Sequence, residues 1–170
     1  MNWISNFDAF RVNYPKVANA QVHQGFYNAY LGVQSQVYSG LKTALASCPG
    51  CEIRCTGHSL GAALATIAAA DLVQNFKTSS HITLYNFGSP RVGNQAFATW
   101  LQGQVPTWRM THWRDIVPHL PLEPVMGYYH LANEVFESET GGNYTQCNGG
   151  EDPKCADQFI VYSTSDHLVW

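Results

Sequence analysis

Residues 56–65, TGHSLGAALA, constrain the fold of this 170-residue chain more than any other stretch. The run before them, CEIRCTGH, reads as a strand, and the run after, LGAALATIAAADLVQNF, as a helix with a small-residue face. A serine flanked by glycines at that junction, Gly57-His58-Ser59-Leu60-Gly61, fits G-x-S-x-G. The turn has to be so sharp that the serine takes a strained backbone conformation with its hydroxyl held outward. Side chains two residues to either side would collide, which predicts a steric need for both Gly57 and Gly61. The helix then starts beneath the serine, and its first N–H groups, Leu60 included, point to where an anionic oxygen would form. A bare G-x-S-x-G match is common by chance. The strand before it and the small residues Ala62, Ala63 and Ala65 after it make Ser59 a candidate nucleophile.

A serine hydroxyl is a weak nucleophile until a base takes its proton, and the base needs an orienting acid. In a strand–turn–helix site of this kind the partners follow in the order Ser, Asp, His. Asp71 lies within the helix after the turn and reads as solvated. Asp152 and Asp157 belong to a polar loop, and Asp166 adjoins His167, whose side chain diverges from its own. Asp115 follows the strand-like TWRMTHW, where the C-terminal edge of a parallel sheet carries functional groups. It is the favoured acid. Three histidines lie beyond it: His119 among prolines, His130 at the head of a strand-like run, and His167 near the end. Chemistry alone favours His167 and leaves the other two open.

Elsewhere the chain alternates strands and helices. GFYNAYLGVQSQVYSGLKTALA predicts one amphipathic helix over 25–46, ended by CPG. HITLYNFGSP predicts a strand, NQAFATWLQ a short helix, and YYHLANEVFE a further strand. DIVPHLPLEP has too many prolines to be regular. Such alternation predicts an α/β fold: a mainly parallel sheet covered on both faces, in a single domain over 1–170.

A net charge of −3 with no Lys/Arg block argues against a nucleic-acid or anionic-membrane partner. No apolar run approaches the roughly 20 residues of a membrane span. The start, MNWISNFD, has neither the basic nor the apolar region of a signal peptide. The five cysteines look extracellular all the same. Cys147 and Cys155, in a Gly-rich loop, predict a disulfide, and Asn143-Tyr-Thr beside them is a glycosylation sequon. Cys48 and Cys51 stay open between a disulfide and a redox or zinc motif, although no second pair completes a zinc site. Cys55 reads as a buried thiol.

Together VHQGFYNAY, TGHSLGAALA, YNFGSPRVGN, MTHWRDIVPHLP and SDHLV resemble the fungal-type class 3 lipases, a family that also contains feruloyl esterases. They span nearly the whole chain in family order. The resemblance implies an α/β-hydrolase fold with Ser59 as nucleophile, Asp115 as acid, His167 as base, and a disulfide in the Cys147/Cys155 loop. It implies a secreted serine ester hydrolase that needs no metal or organic cofactor and acts on lipid or other esters. Triacylglycerols are the favoured substrates. Feruloyl esters and phospholipids are the alternatives, as is a catalytically impaired binding homologue. One departure stands out. In the family, first strands and a second oxyanion donor precede the segment matching Asn2-Trp3, so this chain reads as truncated, with only Leu60 carried over to the oxyanion hole. The chain also ends sooner after His167 than is usual. Trp3, Ile4 and Phe7 have the spacing of a lid helix, and Trp3 is expected at the substrate, with His58. Val117, Leu120, Leu122 and Val125 are expected to line an acyl or aryl pocket.

Overall fold

The computed structural model describes residues 9–122 and 126–169. Strands β1 (Arg11–Asn13) and β2 (Gln21–His23) form an antiparallel ribbon. Helices α1 (Gln24–Leu31) and α2 (Gln34–Ser47) follow. The main sheet is then laid down by β3 (Ile53–His58), α3 (Leu60–Asn75), β4 (Ile82–Phe87), α4 (Gln95–Gln102), β5 (Thr107–His112), β6 (Glu134–Glu137) and β7 (Tyr144–Gln146). Its order is β3-β4-β5-β6-β7, with four parallel strands and an antiparallel β7. The mainly parallel α/β sheet is as the alternation of elements predicts. Among the described residues β3 pairs on one side only, with β4.

The alanine-rich helix explains how the junction at Ser59 is held. Ala62, Ala63, Ile67, Ala69 and Ala70 have no exposed surface, and the lack of long side chains brings the α3 backbone close to β3 and β4. Thr66 adds a polar tie: its hydroxyl donates to the Ala62 carbonyl at 2.9 Å and accepts from Asn86 of β4 at 2.8 Å. Buried polar groups in such contact need partners, and these two supply them.

The helix expected over 25–46 is two helices. The chain breaks at Gly32 and Val33, and the reason is Asp71. This carboxylate, expected to be solvated, is buried in α3 and accepts from Tyr30 at 2.7 Å, Tyr38 at 2.8 Å, Gln34 at 2.9 Å and Asn75 at 2.9 Å. The break lets Tyr30 of α1 and both Gln34 and Tyr38 of α2 converge on one acceptor. Burial, reinforced by the Asp71 charge, pushes the Tyr30 and Tyr38 hydroxyls well above their ordinary pKa, so both remain donors. Asp71→Ala leaves two tyrosine hydroxyls without their acceptor, and a loss of about 3 kcal/mol is expected. Urea unfolding measures it, and a change below about 1 kcal/mol would mean that the network is not a structural tie.

The strand expected over YYHLANEVFE is only four residues long. Upstream of it, backbone N–H groups go to side chains: His130 donates to Glu151 at 2.8 Å and Ala132 to Gln102 at 3.0 Å. Groups committed in that way cannot join a ladder. Strand β7 follows a turn through Gly141 and Gly142, both at φ 72°, and all three of its side chains are exposed, so hydrophobic alternation gives no sign of it.

A buried ion pair fastens the C-terminal third to the sheet. Arg109 of β5 donates to Glu134 of β6 at 2.8 Å and to the Gly150 carbonyl at 2.9 Å. Glu134 also accepts from Thr111 at 2.7 Å and from the Ala156 N–H at 3.1 Å. Every charge in the group has its partners, the condition under which a buried pair holds together. Cys147 and Cys155 close the same region as a disulfide, and Cys48 is bonded to Cys51. Cys55 is the free cysteine; burial pushes its thiol up to about 11, so it stays protonated.

Candidate active site

Strand β3 ends at His58 and α3 begins at Leu60, so Ser59 turns the chain alone. Its φ of 59° and ψ of −128° are a conformation that costs an ordinary residue about 1–3 kcal/mol and persists only where its surroundings enforce it. They do. The Ser59 N–H donates to the Phe87 carbonyl at 3.0 Å, and its own carbonyl accepts from Ala62 at 3.0 Å and Ala63 at 3.3 Å. A Cβ on Gly57 would run into the Gly61 carbonyl and the Ala62 nitrogen. The symmetric expectation for the two glycines is corrected here: a Cβ on Gly61 would meet nothing within 4 Å among the described residues. Leu60 and Gly61 open α3, where an N–H has no carbonyl one turn back to bond.

Asp115 and His167 meet. The Asp115 carboxylate, 1% exposed, accepts from His167 Nδ1 at 2.8 Å through Oδ2 and from the Val117 N–H at 2.8 Å through Oδ1. A carboxylate accepts, so His167 carries its proton on Nδ1 and presents Nε2 as the basic lone pair. Fifty-two residues of sequence separate the two, and the chain closes that gap in identifiable steps. Asp115 follows the tight turn after β5, its N–H donating to the His112 carbonyl at 3.0 Å. Ser163 pairs with this turn: its N–H donates to Arg114 at 2.8 Å and its carbonyl accepts from Ile116 at 3.2 Å. A single helical turn, Asp166–Leu168, then carries His167 to the carboxylate. The Asp166 side chain is occupied elsewhere, accepting from the Ser163 hydroxyl at 2.8 Å.

His58, the neighbour of Ser59, reaches the same place. Its ring stacks on the His167 ring with centroids 4.4 Å apart, and its Nε2 lies 2.9 Å from the His167 carbonyl. Partial desolvation of the ring first, then the neighbouring His167, lower its pKa below the ordinary value, so the neutral form dominates at pH 7. His58, expected at the substrate, is in contact with His167. Val117, expected to line a pocket, is fully buried and its N–H donates to Asp115. Leu120 is half-buried, its carbonyl accepting from Arg91 at 2.7 Å, and Leu122 is exposed. Trp3, Ile4, Phe7 and Val125 lie outside the described residues. The other two histidines have different duties. His130 is buried, which with Arg109 and Arg91 drives its pKa far down, and its Nε2 donates to the Pro118 carbonyl at 2.7 Å. His119 Nδ1 faces Asp157 at 3.4 Å.

Sequence reasoning passed over His112, whose Nδ1 lies 3.0 Å from the Asp166 carbonyl. Its place at the end of the strand leading to Asp115 was the available signal. Among the described residues, Glu134, Cys147 and Cys155 form the group compact enough to hold a metal ion. Both sulfurs are consumed by the disulfide, and Glu134 already serves Arg109, Thr111 and Ala156, so the set offers no thiolate.

A strained serine between strand and helix, whose neighbour His58 stacks on a histidine bonded to a buried aspartate, on a mainly parallel α/β sheet, fits the α/β-hydrolase class. The chain belongs to the class 3 lipase family, whose family model matches residues 1–125. It is 35% identical to a lipase of Rhizomucor miehei over 175 residues, covering 99% of this chain and 48% of that protein. A secreted mono- and diacylglycerol lipase of Fusarium solani is 40% identical over 136 residues, covering 79% of this chain and 40% of that protein. A solved triacylglycerol lipase, described as having a serine protease triad as its catalytic centre, superposes with a TM-score of 0.89 at 34% identity, over 99% of this chain and 66% of that one. The chain thus spans about half the length, or less, of these curated relatives.

Proposed function

We propose that this chain carries the catalytic machinery of a carboxylic ester hydrolase acting on acylglycerols by two-step acyl transfer. The observation that carries the reading is the Asp115–His167 hydrogen bond delivered, through the His58 ring, to the flank of the strained Ser59. Ser59 Oγ attacks the ester carbonyl while His167 Nε2 accepts its proton, and Asp115 holds the Nδ1–H tautomer and stabilises the imidazolium. The Leu60 N–H stabilises the tetrahedral oxyanion. His167 returns the proton to the leaving alkoxide, and water then repeats the sequence on the acyl-enzyme, releasing the acid and freeing Ser59. No step calls for a cofactor.

Lipid esters are favoured by the apolar side chains that the C-terminal segment leaves exposed. Leu168 is 64% exposed, and Val161 and Ile160, just ahead of Ser163, are 64% and 91% exposed. Exposed apolar side chains on the segment that carries the candidate base suit a substrate presented at a lipid surface. Relatives named for triacylglycerols and for mono- and diacylglycerols support the same class. Hydrolysis of emulsified long-chain triacylglycerol is expected to exceed that of soluble methyl ferulate by at least about tenfold, and pH-stat titration measures both. The reverse order assigns an aryl esterase. Failure on both by the folded protein favours a binding homologue.

We also infer a secreted, glycosylated parent protein. Two disulfides fit an oxidising compartment, and Asn143 is exposed on the β6–β7 hairpin. Among the described residues no helix is long and apolar enough to cross a membrane.

A further inference from the structure

Two histidines at separate strand ends grip consecutive peptide carbonyls in the turn that carries His167. His58 is the last residue of β3 and His112 the last of β5, with β4 between them. His58 Nε2 is 2.9 Å from the carbonyl of His167, and His112 Nδ1 is 3.0 Å from that of Asp166. A carbonyl only accepts, so both rings donate: His58 bears its proton on Nε2 and His112 on Nδ1. The His58 ring also lies on the His167 ring, inclined by 28°.

The hydrogen bond to Asp115 fixes one edge of the His167 imidazole, and one contact at one edge does not by itself set the tilt of the ring. Two further constraints are needed to aim Nε2. The carbonyl contacts fix the backbone from which the ring hangs, and the stacked ring limits its tilt. We propose that His58 and His112 are positioning residues, which set the base over the nucleophile by holding the consecutive carbonyls of Asp166 and His167 against the C-terminal edge of the sheet. This role rests on the ester-hydrolase reading. It also gives the histidine of the Gly-His-Ser motif a task apart from substrate contact: the residue beside the nucleophile is the one that registers the base to it.

The test pairs variants that delete the donor with variants that restore it. His58→Phe keeps a stacking ring without an N–H, and His58→Gln places an N–H near the Nε2 position. His112→Leu and His112→Asn do the same for Nδ1. On a soluble p-nitrophenyl ester, the Phe and Leu variants are expected to lose about 10- to 100-fold in kcat, since a misaimed base is felt at that scale. KM stays within about twofold, and the Gln and Asn variants stay within about threefold of wild-type kcat. His58 is exposed, so His58→Phe is expected to fold, and the His58 pair decides the matter even where His112→Leu does not. The proposal is overturned by a Phe variant with wild-type kcat, by a Gln variant no better than Phe, or by a loss confined to KM. The downfield NMR resonance of the His167 Nδ1 proton reports the same alignment without turnover. Its loss in His58→Phe and retention in His58→Gln supports the clamp even in a protein that hydrolyses nothing, a result that would overturn the ester-hydrolase reading alone. Unchanged resonances in both variants overturn the clamp.

Discussion

Ser59→Ala is expected to lower ester turnover by about 10⁶-fold, the scale on which removing the nucleophile of a serine triad is felt. The change deletes one oxygen from a residue whose backbone is held by Phe87, Ala62 and Ala63, so fold and KM should barely move. The strained φ survives in the variant, because packing of α3 on β3 imposes it and the hydroxyl does not. Steady-state kinetics on a p-nitrophenyl ester, with thermal unfolding as control, measures the effect. A folded variant with wild-type rate would mean that the turn is only a turn.

Asp115→Asn should cost about 10⁴-fold in kcat, through the tautomer of His167 rather than through loss of shape. An asparagine fits the same space, and its Oδ1 still accepts the Val117 N–H. Facing His167, however, it turns an NH₂ donor where the carboxylate accepted. Nδ1 then has to be the acceptor, the proton moves to Nε2, and the ring loses the lone pair needed to take the Ser59 proton. Little change in melting temperature is expected. A loss under about tenfold would show that Asp115 does not orient the base.

The parts of this molecule written in local sequence were legible, and the parts that depend on distant partners were not. The β3–Ser59–α3 unit could be read because its signals are contiguous: a strand, a serine between glycines, and an alanine face that packs closely. The place of Asp115, in the turn just past β5, could be read because TWRMTHW is a contiguous strand signal. The solvated reading of Asp71 failed because its partners, Tyr30, Gln34 and Tyr38, come from helices more than thirty residues upstream. That network also divides the helix expected over 25–46, which periodicity alone continues through Gly32. Strand β7 was missed because all its side chains face solvent, and the length of β6 was overestimated because Glu151 and Gln102 take backbone N–H groups upstream of it. At the site, His112 went unnoticed since its partner is a peptide carbonyl, a group that leaves no mark in sequence. Of the two glycines of the motif, one is enforced by collision with α3, and a Cβ on the other meets nothing among the described residues, a distinction that only the packing reveals.

In the proposed reaction the hydroxyl at the β3–α3 corner is made nucleophilic by an imidazole and a carboxylate brought from distant segments. Labelling the folded protein with a fluorophosphonate and mapping the adduct by peptide mass spectrometry tests it most directly. A single phosphonyl group is expected on Ser59, formed far more slowly in Asp115→Asn. A folded, unlabelled protein, or an adduct on another residue, would contradict it.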